Sequence, residues 1–323
     1  MLEQKVALIC GISGQDGTYL AKLLLDEGYK VFGGSRDAQN ASFRNLEKLG
    51  IVDKINFVSI TLNDFRSVFQ TINKIGPDEI YNLAGQSSVA LSFEQPVETL
   101  ESIIMGTLNI LEAIRFSGKD IRFYNAGSSE CFGNADHAVD EETPFRPRSP
   151  YGVAKATAYW EVANYREAYN LYACTGILFN HESPFRKERF VTKKIVSTAY
   201  KISKGIDMKL NLGNINICRD WGWAPEYVKA MWLMLQKDEP DDFVIATGQT
   251  SSLEDFIRIA FELVGLNWKD HVVVDELLMR PTDITVGLAN PDKARRLLNW
   301  EAKVKIEDII RLMMEYERDN NDR

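Results

Sequence analysis

The sequence predicts an α/β protein: a doubly wound parallel sheet with a smaller C-terminal substrate-binding domain. Three observations carry this. Short apolar runs of strand length alternate with helix-length amphipathic segments as far as Phe179. A glycine cluster joins the first run to the first helix, where a ligand-binding turn is expected on such a sheet. Beyond Asn180 the alternation gives way to a basic stretch and then to helical segments. The expected division is 1–179 for the dinucleotide-binding domain, with a return of the chain at about 216–250, and 180–215 with 251–323 for the substrate domain.

The first strand is Lys5 to Cys10, an apolar run suited to a buried parallel strand. It enters Gly11-Ile12-Ser13-Gly14-Gln15-Asp16-Gly17 and then a helix pattern through Leu25. Glycines here permit a tight turn and close backbone approach, so the helix N-terminus can face a pyrophosphate. This is the Rossmann arrangement, and it points to a dinucleotide. The second strand, Lys30 to Gly34, ends in Ser35-Arg36 where an NAD site usually carries an acidic residue. Arg36 suits a ribose 2′-phosphate, and NADP is the expected cofactor; Asp37 beside it is a competing partner for its charge.

The alternation continues with a strand over Ile55 to Ile60, a helix from Asp64 to Ile75, a strand at Glu79 to Leu83, a long helix ending at Phe116 and a strand from Arg122 to Ala126. Ligands on such a sheet lie beyond the carboxyl ends of the strands, so Ala84-Gly85-Gln86 and Ser128-Ser129-Glu130 should face one cleft. Asn134 to Arg148, acidic and proline-containing, reads as a surface loop. Ser149 is a candidate N-cap with Pro150 at the first helical position, which puts Tyr151 and Lys155, four residues apart, on one helix face. An ammonium beside a phenol favours the phenolate. Hydroxyl, carboxylate, phenol and ammonium are thus expected in a single site.

Ala173 to Phe179 reads as a further strand, leading into Asn180-His181-Glu182-Ser183-Pro184-Phe185-Arg186-Lys187. Arg186, Lys187, Arg189, Lys193 and Lys194 form a basic cluster, and Arg219 and Arg280 are isolated arginines. Two diphosphate ligands in one cleft would use such charges. Asp242 to Ala246 is a late strand, and Ser251 with Glu254 is a capping box opening a helix to Val264. Helices around Pro291 to Leu298 and Ile306 to Tyr316 follow, with Met313 and Met314 as core residues.

Composition narrows the partners. The chain has 323 residues, 45% hydrophobic and 26% charged, with a formal net charge of −8. That acidic balance disfavours nucleic acid, so any phosphate site must be local. Cys10, Cys131, Cys174 and Cys218 have no metal-type spacing, and no signal-peptide pattern precedes the first strand. No apolar run reaches the roughly 20 residues that span a bilayer. No metal, no membrane and a cytoplasmic location are the expectations.

Taken together, these residues resemble the GDP-mannose 4,6-dehydratases, within the extended short-chain dehydrogenase/reductase superfamily. The resemblance covers nearly the whole chain. It rests on Gly11 to Gly17, Arg148-Ser149-Pro150-Tyr151-Gly152-Val153-Ala154-Lys155, Tyr165 to Ala168, Gly176 to Pro184, Phe190 to Ile195, Arg219-Asp220-Trp221-Gly222 and Glu226 to Leu235. It implies that Tyr151 removes the C4 hydroxyl proton while hydride leaves C4 for NADP. Glu130 then acts as base at C5 and assists loss of water from C6, where the hydride returns. Ser128 would hydrogen-bond the reacting oxygen, and Lys155 would hold the nicotinamide ribose and tune Tyr151.

The same resemblance assigns cofactor contacts to Gly11, Ser13, Gly14, Gln15, Asp16, Gly17, Arg36, Leu62, Leu83, Ala84, Gly85, Tyr151, Lys155, His181 and Arg186. Substrate contacts fall to Ser87, Ser129, Asn180, Lys194, Arg219 and Arg280. The chain departs from the family at Thr61 and Ile103, where acidic or amide residues are usual, at Gly85 in place of alanine and at Lys187 in place of glycine. The loop after the second strand keeps only Arg36 of a longer basic run. A homodimer or homotetramer is implied. The alternatives are action on another GDP-sugar as dehydratase, 4-keto reductase or epimerase, and a non-catalytic dinucleotide-binding protein.

Overall fold

The structure, a computed structural model, describes residues 4–321. Its strands are β1 (Val6–Cys10), β2 (Lys30–Ser35), β3 (Asn56–Ser59), β4 (Glu79–Asn82), β5 (Arg122–Ala126) and β6 (Ala173–Leu178) in the first part of the chain. They continue as β7 (Asn180–Glu182), β8 (Leu210–Leu212), β9 (Cys218–Trp223), β10 (Phe243–Ile245), β11 (Thr250–Ser252) and β12 (Val272–Val274). Seven form one parallel sheet in the order β10-β6-β5-β4-β1-β2-β3. The order reverses between β1 and β4, the switch point at which doubly wound sheets bind ligands. The parallel doubly wound sheet expected from the alternation is what the chain forms.

Burial explains the apolar runs. β4, β6 and β10 are buried along their whole length, as strands covered by helices on both faces must be. One core lies on each face of the sheet: Leu20, Leu24, Tyr227 and Met231 belong to one, and Val68, Ile72, Ile110 and Ile114 to the other. A separate cluster unites Ile195, Trp221, Phe256, Phe261, Ile309, Met313 and Met314 away from the large sheet. Within that part β9 pairs with β7 and antiparallel with β11.

Two elements differ from expectation. The long helix ending near Phe116 is broken into Val89–Glu94, Pro96–Leu100, a π-helical turn Glu101–Met105 and Gly106–Ser117. Pro96 has no N–H to continue the first helix and displaces Gln95 to φ −129°, ψ 62°. The capping box lies one residue later than predicted. Ser251 is held in β11 opposite Arg219, so Ser252 caps the helix Leu253–Glu262 by accepting from the Asp255 N–H at 3.0 Å. Asp255, not Glu254, is its partner. Among the described residues no helix is long and apolar enough to cross a membrane, and no group of three or more His, Cys, Asp or Glu side chains could hold a metal ion.

Candidate active site

The glycine turn is built as its sequence demands. Gly11 has φ +91°, and a Cβ there would stand 2.9 Å from the Leu83 backbone at the end of β4. A Cβ on Gly17 would stand 2.4 Å from the Gly11 carbonyl, so the helix Gln15–Asp26 can pack against the turn only with glycine at that position. Gly14 is the N-cap and no side chain caps the first turn. Those N–H groups and the helix dipole are therefore available to an anion, which fits the pyrophosphate of a dinucleotide.

The turn is tied to the segment after β6. Gln15 donates to the His181 carbonyl at 3.1 Å and accepts from the Ser183 hydroxyl at 2.7 Å, and Asp16 Oδ2 lies 3.0 Å from His181 Nε2. Burial works to lower the His181 pKa, but the Asp16 carboxylate outweighs it and holds the imidazole above its ordinary value. Asp16 is correspondingly held low: burial raises it, and His181 more than offsets that.

A cavity of about 350 Å³ opens beyond the ends of β4, β5 and β6. It brings together Ser128, Ser129, Glu130, Tyr151 and Lys155, as the spacing predicted. Ser149 accepts from the Gly152 N–H at 3.0 Å, Pro150 occupies the first helical position, and Tyr151 and Lys155 share a face of the helix Pro150–Tyr169. Lys155 Nζ lies 5.8 Å from the Tyr151 ring centre. Its hydrogen bond goes elsewhere, to the Ala126 carbonyl at 2.7 Å.

Burial dominates the proton affinities here. It raises the Tyr151 phenol well above its ordinary value, against the Ser128 hydroxyl, which favours the phenolate. This reverses the downward shift expected from the Lys155 charge alone, because desolvation of a buried phenolate exceeds the effect of one ammonium bonded to a carbonyl. Burial lowers Lys155 to about 8. Glu130 is raised by burial, with Arg219 and then Arg280 pulling the other way. A carboxylate made more basic in this way is suited to proton transfer.

The same cavity is lined by Asp16, Leu83, Ser87, Asn180, His181, Arg186, Lys194, Arg219 and Arg280. It does not reach Gly11, Ser13, Gly14, Gln15, Gly17, Arg36, Leu62, Ala84 or Gly85, which lie in or near the glycine turn and the strand ends beside it. Arg36 follows β2 directly, and Asp37 does not engage it. Asp37 instead accepts from the Gln39 and Asn40 N–H groups at 3.1 Å and from the Asn40 side chain at 2.9 Å. Gly85 has φ +124°, and a Cβ there would stand 3.0 Å from Ile103 Cγ1, so these two family departures touch.

The basic cluster divides on folding. Lys193 is buried and bonded to Glu317 and to the Pro184 carbonyl, so it serves packing of the C-terminal helix. Lys194 Nζ donates to the Asn211 carbonyl at 2.6 Å at the cavity edge. Arg186 lies 3.2 Å from Glu182, which also accepts from the Thr192 hydroxyl. Arg219 and Arg280 are not isolated: both contact Asp283, at 3.0 and 3.3 Å. Sequence reasoning passed over Asp283 and Glu182, whose only signals were an opposite charge three residues after Arg280 and four before Arg186.

Fold and site define a protein of the short-chain dehydrogenase/reductase type, with a glycine turn suited to a pyrophosphate leading to a Ser-Tyr-Lys constellation. Comparison with known proteins narrows this. The family model described as GDP-mannose 4,6 dehydratase matches residues 8–313, and the chain belongs to that family. It is 46% identical to GDP-mannose 4,6 dehydratase 1 of Arabidopsis thaliana over 97% of this chain and 89% of that protein. Identity to the GDP-mannose 4,6-dehydratase of Sinorhizobium fredii (strain HH103) is 44%, covering 96% and 95%, and to that of Cricetulus griseus 42%, covering 97% and 91%.

Solved structures share the fold. UDP-glucose 4-epimerase of Thermus thermophilus in complex with NAD superimposes with a TM-score of 0.85 at 24% identity, covering 97% of this chain and 99% of that one. RMD from Pseudomonas aeruginosa complexed with NADPH gives 0.80 at 20% identity, covering 98% and 100%.

Proposed function

We propose that the protein is an NADP-dependent GDP-mannose 4,6-dehydratase, converting GDP-mannose to GDP-4-keto-6-deoxymannose with loss of water. The observation that carries this reading is Glu130 in one cavity with Tyr151, Lys155 and the paired arginines Arg219 and Arg280. A simple reductase or epimerase has no need of a half-buried carboxylate base in the cavity with the phenol.

A bound dinucleotide would supply reversible redox capacity at the hexose, accepting hydride from C4 and giving it back at C6. Tyr151 takes the proton of the C4 hydroxyl as that carbon is oxidised, with Ser128 hydrogen-bonded to the same oxygen. Burial alone leaves Tyr151 a weak acid, so its activation would rest on Lys155 and on the positive charge that an oxidised nicotinamide would bring. Lys155 also holds the nicotinamide ribose. The C4 ketone acidifies C5–H; Glu130 removes that proton and delivers it to the departing C6 hydroxyl, so one water leaves, and the C5=C6 alkene that remains must gain hydride at C6 and a proton at C5 to give the 4-keto-6-deoxy product. Asn180, Lys194, Arg219, Arg280, Ser87 and Ser129 hold the GDP-sugar.

NADP rather than NAD is favoured by Arg36, whose neighbour Asp37 is occupied by Asn40. Gly11 to Gly17, Leu62, Leu83, Ala84, Gly85, His181 and Arg186 complete the cofactor site. We also assign residues 1–179 with 216–250 to cofactor binding, and 180–215 with 251–323 to the nucleotide sugar. The separate apolar cluster around Ile195, Phe256 and Met313 supports a distinct second unit, and Trp221 joins it from the 216–250 return. Four unpaired cysteines favour a reducing, cytoplasmic setting, and a homodimer or homotetramer is the assembly proposed.

The test is incubation of purified protein with GDP-mannose and catalytic NADP, followed by mass spectrometry of the nucleotide sugar. The expected result is loss of the mass of one water with no net NADPH. Unchanged GDP-mannose, or reduction of the added NADP to NADPH without loss of water, overturns the reading.

A further inference from the structure

Asp283 is one carboxylate with three partners on a single oxygen. Its Oδ1 accepts from Arg219 Nη2 at 3.0 Å, from Arg280 Nη1 at 3.3 Å and from the Ile284 N–H at 2.9 Å. Arg219 belongs to β9, whereas Arg280 and Asp283 lie in the segment after β12, so the carboxylate joins two separate parts of the cavity wall. The bond from its own neighbour fixes Asp283, and the fixed carboxylate in turn orients both guanidiniums. Arg219 is buried, and its Nη1 donates to the Cys218 carbonyl at 3.0 Å, which leaves that group little freedom to turn.

We propose that Asp283 is a positioning residue for the diphosphate of a nucleotide sugar, holding Arg219 and Arg280 as one preformed clamp. This rests on the GDP-sugar reading above. Two guanidiniums held together at one edge match the several acceptor oxygens of a diphosphate, and holding them before binding removes the cost of ordering two long side chains. The role is distinguishable from a simple charge effect by its sign. A carboxylate that acted only through its charge would repel the diphosphate, and its removal would tighten binding. A carboxylate that orients the arginines does the reverse.

The experiment compares wild type, Asp283→Asn and Asp283→Glu as NADP-loaded holoenzymes. GDP binding is measured by calorimetry and kcat and KM with GDP-mannose, with NADP affinity as the check that the fold is intact. For Asp283→Asn, Kd for GDP and KM are expected to rise about tenfold with kcat changed far less, and Asp283→Glu to recover most of the loss. Tighter GDP binding by Asp283→Asn, a fall in kcat with KM unchanged, or no recovery by Asp283→Glu overturns the proposal. Failure of the wild type to convert GDP-mannose defeats the functional reading separately, because the GDP calorimetry still decides the clamp.

Discussion

Lys155 Nζ stands 5.8 Å from the centre of the Tyr151 ring while its 2.7 Å hydrogen bond goes to the Ala126 carbonyl. The ammonium is thus held by the end of β5 and not by a hydrogen bond to the phenol. Burial lowers its pKa to about 8, so the folded protein retains a charge it would rather shed.

Replacing Lys155 should therefore separate activity from stability. Lys155→Met is expected to lower kcat by about 10² or more, yet to melt no lower than wild type at pH 7 in the ligand-free protein. The sign follows from linkage: between a folded value near 8 and an ordinary value near 10.4 the unfolded chain binds more protons, so this group's contribution to stability grows as pH rises through that window. Thermal melts of both proteins from pH 7 to 10 check it. A Lys155→Met protein much less stable at pH 7 contradicts the account.

Glu130→Gln keeps the shape of the side chain and removes its basicity. We expect dehydration to fall by about 10³, with the melting temperature preserved or raised because a partly desolvated carboxylate is neutralised. Retention of water loss at the wild-type rate would remove Glu130 from the chemistry.

The Asp16 and His181 pair gives a pH signature. His181 is held above its ordinary value, so its stabilising contribution is complete below about 6.5 and is lost as pH rises through the raised value. Asp16 is held below its ordinary value, so its contribution is complete above about 3.9 and is lost as pH falls through the lowered one. The stability lost in Asp16→Asn should thus be largest between about pH 4 and 6.5 and shrink toward pH 9. Denaturant titrations across that range measure the difference, and a pH-independent gap would argue against an ion pair.

Gly17→Ala tests the cradle. Its Cβ would meet the Gly11 carbonyl at 2.4 Å, contact with backbone that no side-chain rotation relieves. A cost of about 1–3 kcal/mol in stability and weaker NADP binding are expected from denaturant titration and cofactor fluorescence. Arg36→Ala should weaken NADP about tenfold or more while leaving NAD affinity unchanged; equal loss for both cofactors would deny Arg36 the 2′-phosphate.

Local chemistry made much of this protein legible. The largely apolar runs that become β1 and β6 reflect strands buried on both faces, and that pattern needs no tertiary information. Gly11, Gly17, Ser149 and Pro150 declare a turn and a helix start by backbone rules alone, so the Tyr151–Lys155 face could be read from spacing. The resemblance named the family on motifs spread along the chain. What the sequence could not decide was the outcome of competition between distant groups. Lys193 and Lys194 are adjacent in sequence, yet one is buried against the C-terminal helix and the other lines the cavity. Ser251 lost the capping role to Ser252 because β11 had to pair with β9. The direction of the Tyr151 shift and the joining of Arg219 to Arg280 through Asp283 depend on burial and on contacts far apart in sequence. Desolvation and long-range pairing exist only once the chain has closed on itself, and they decide how the site's charges are balanced.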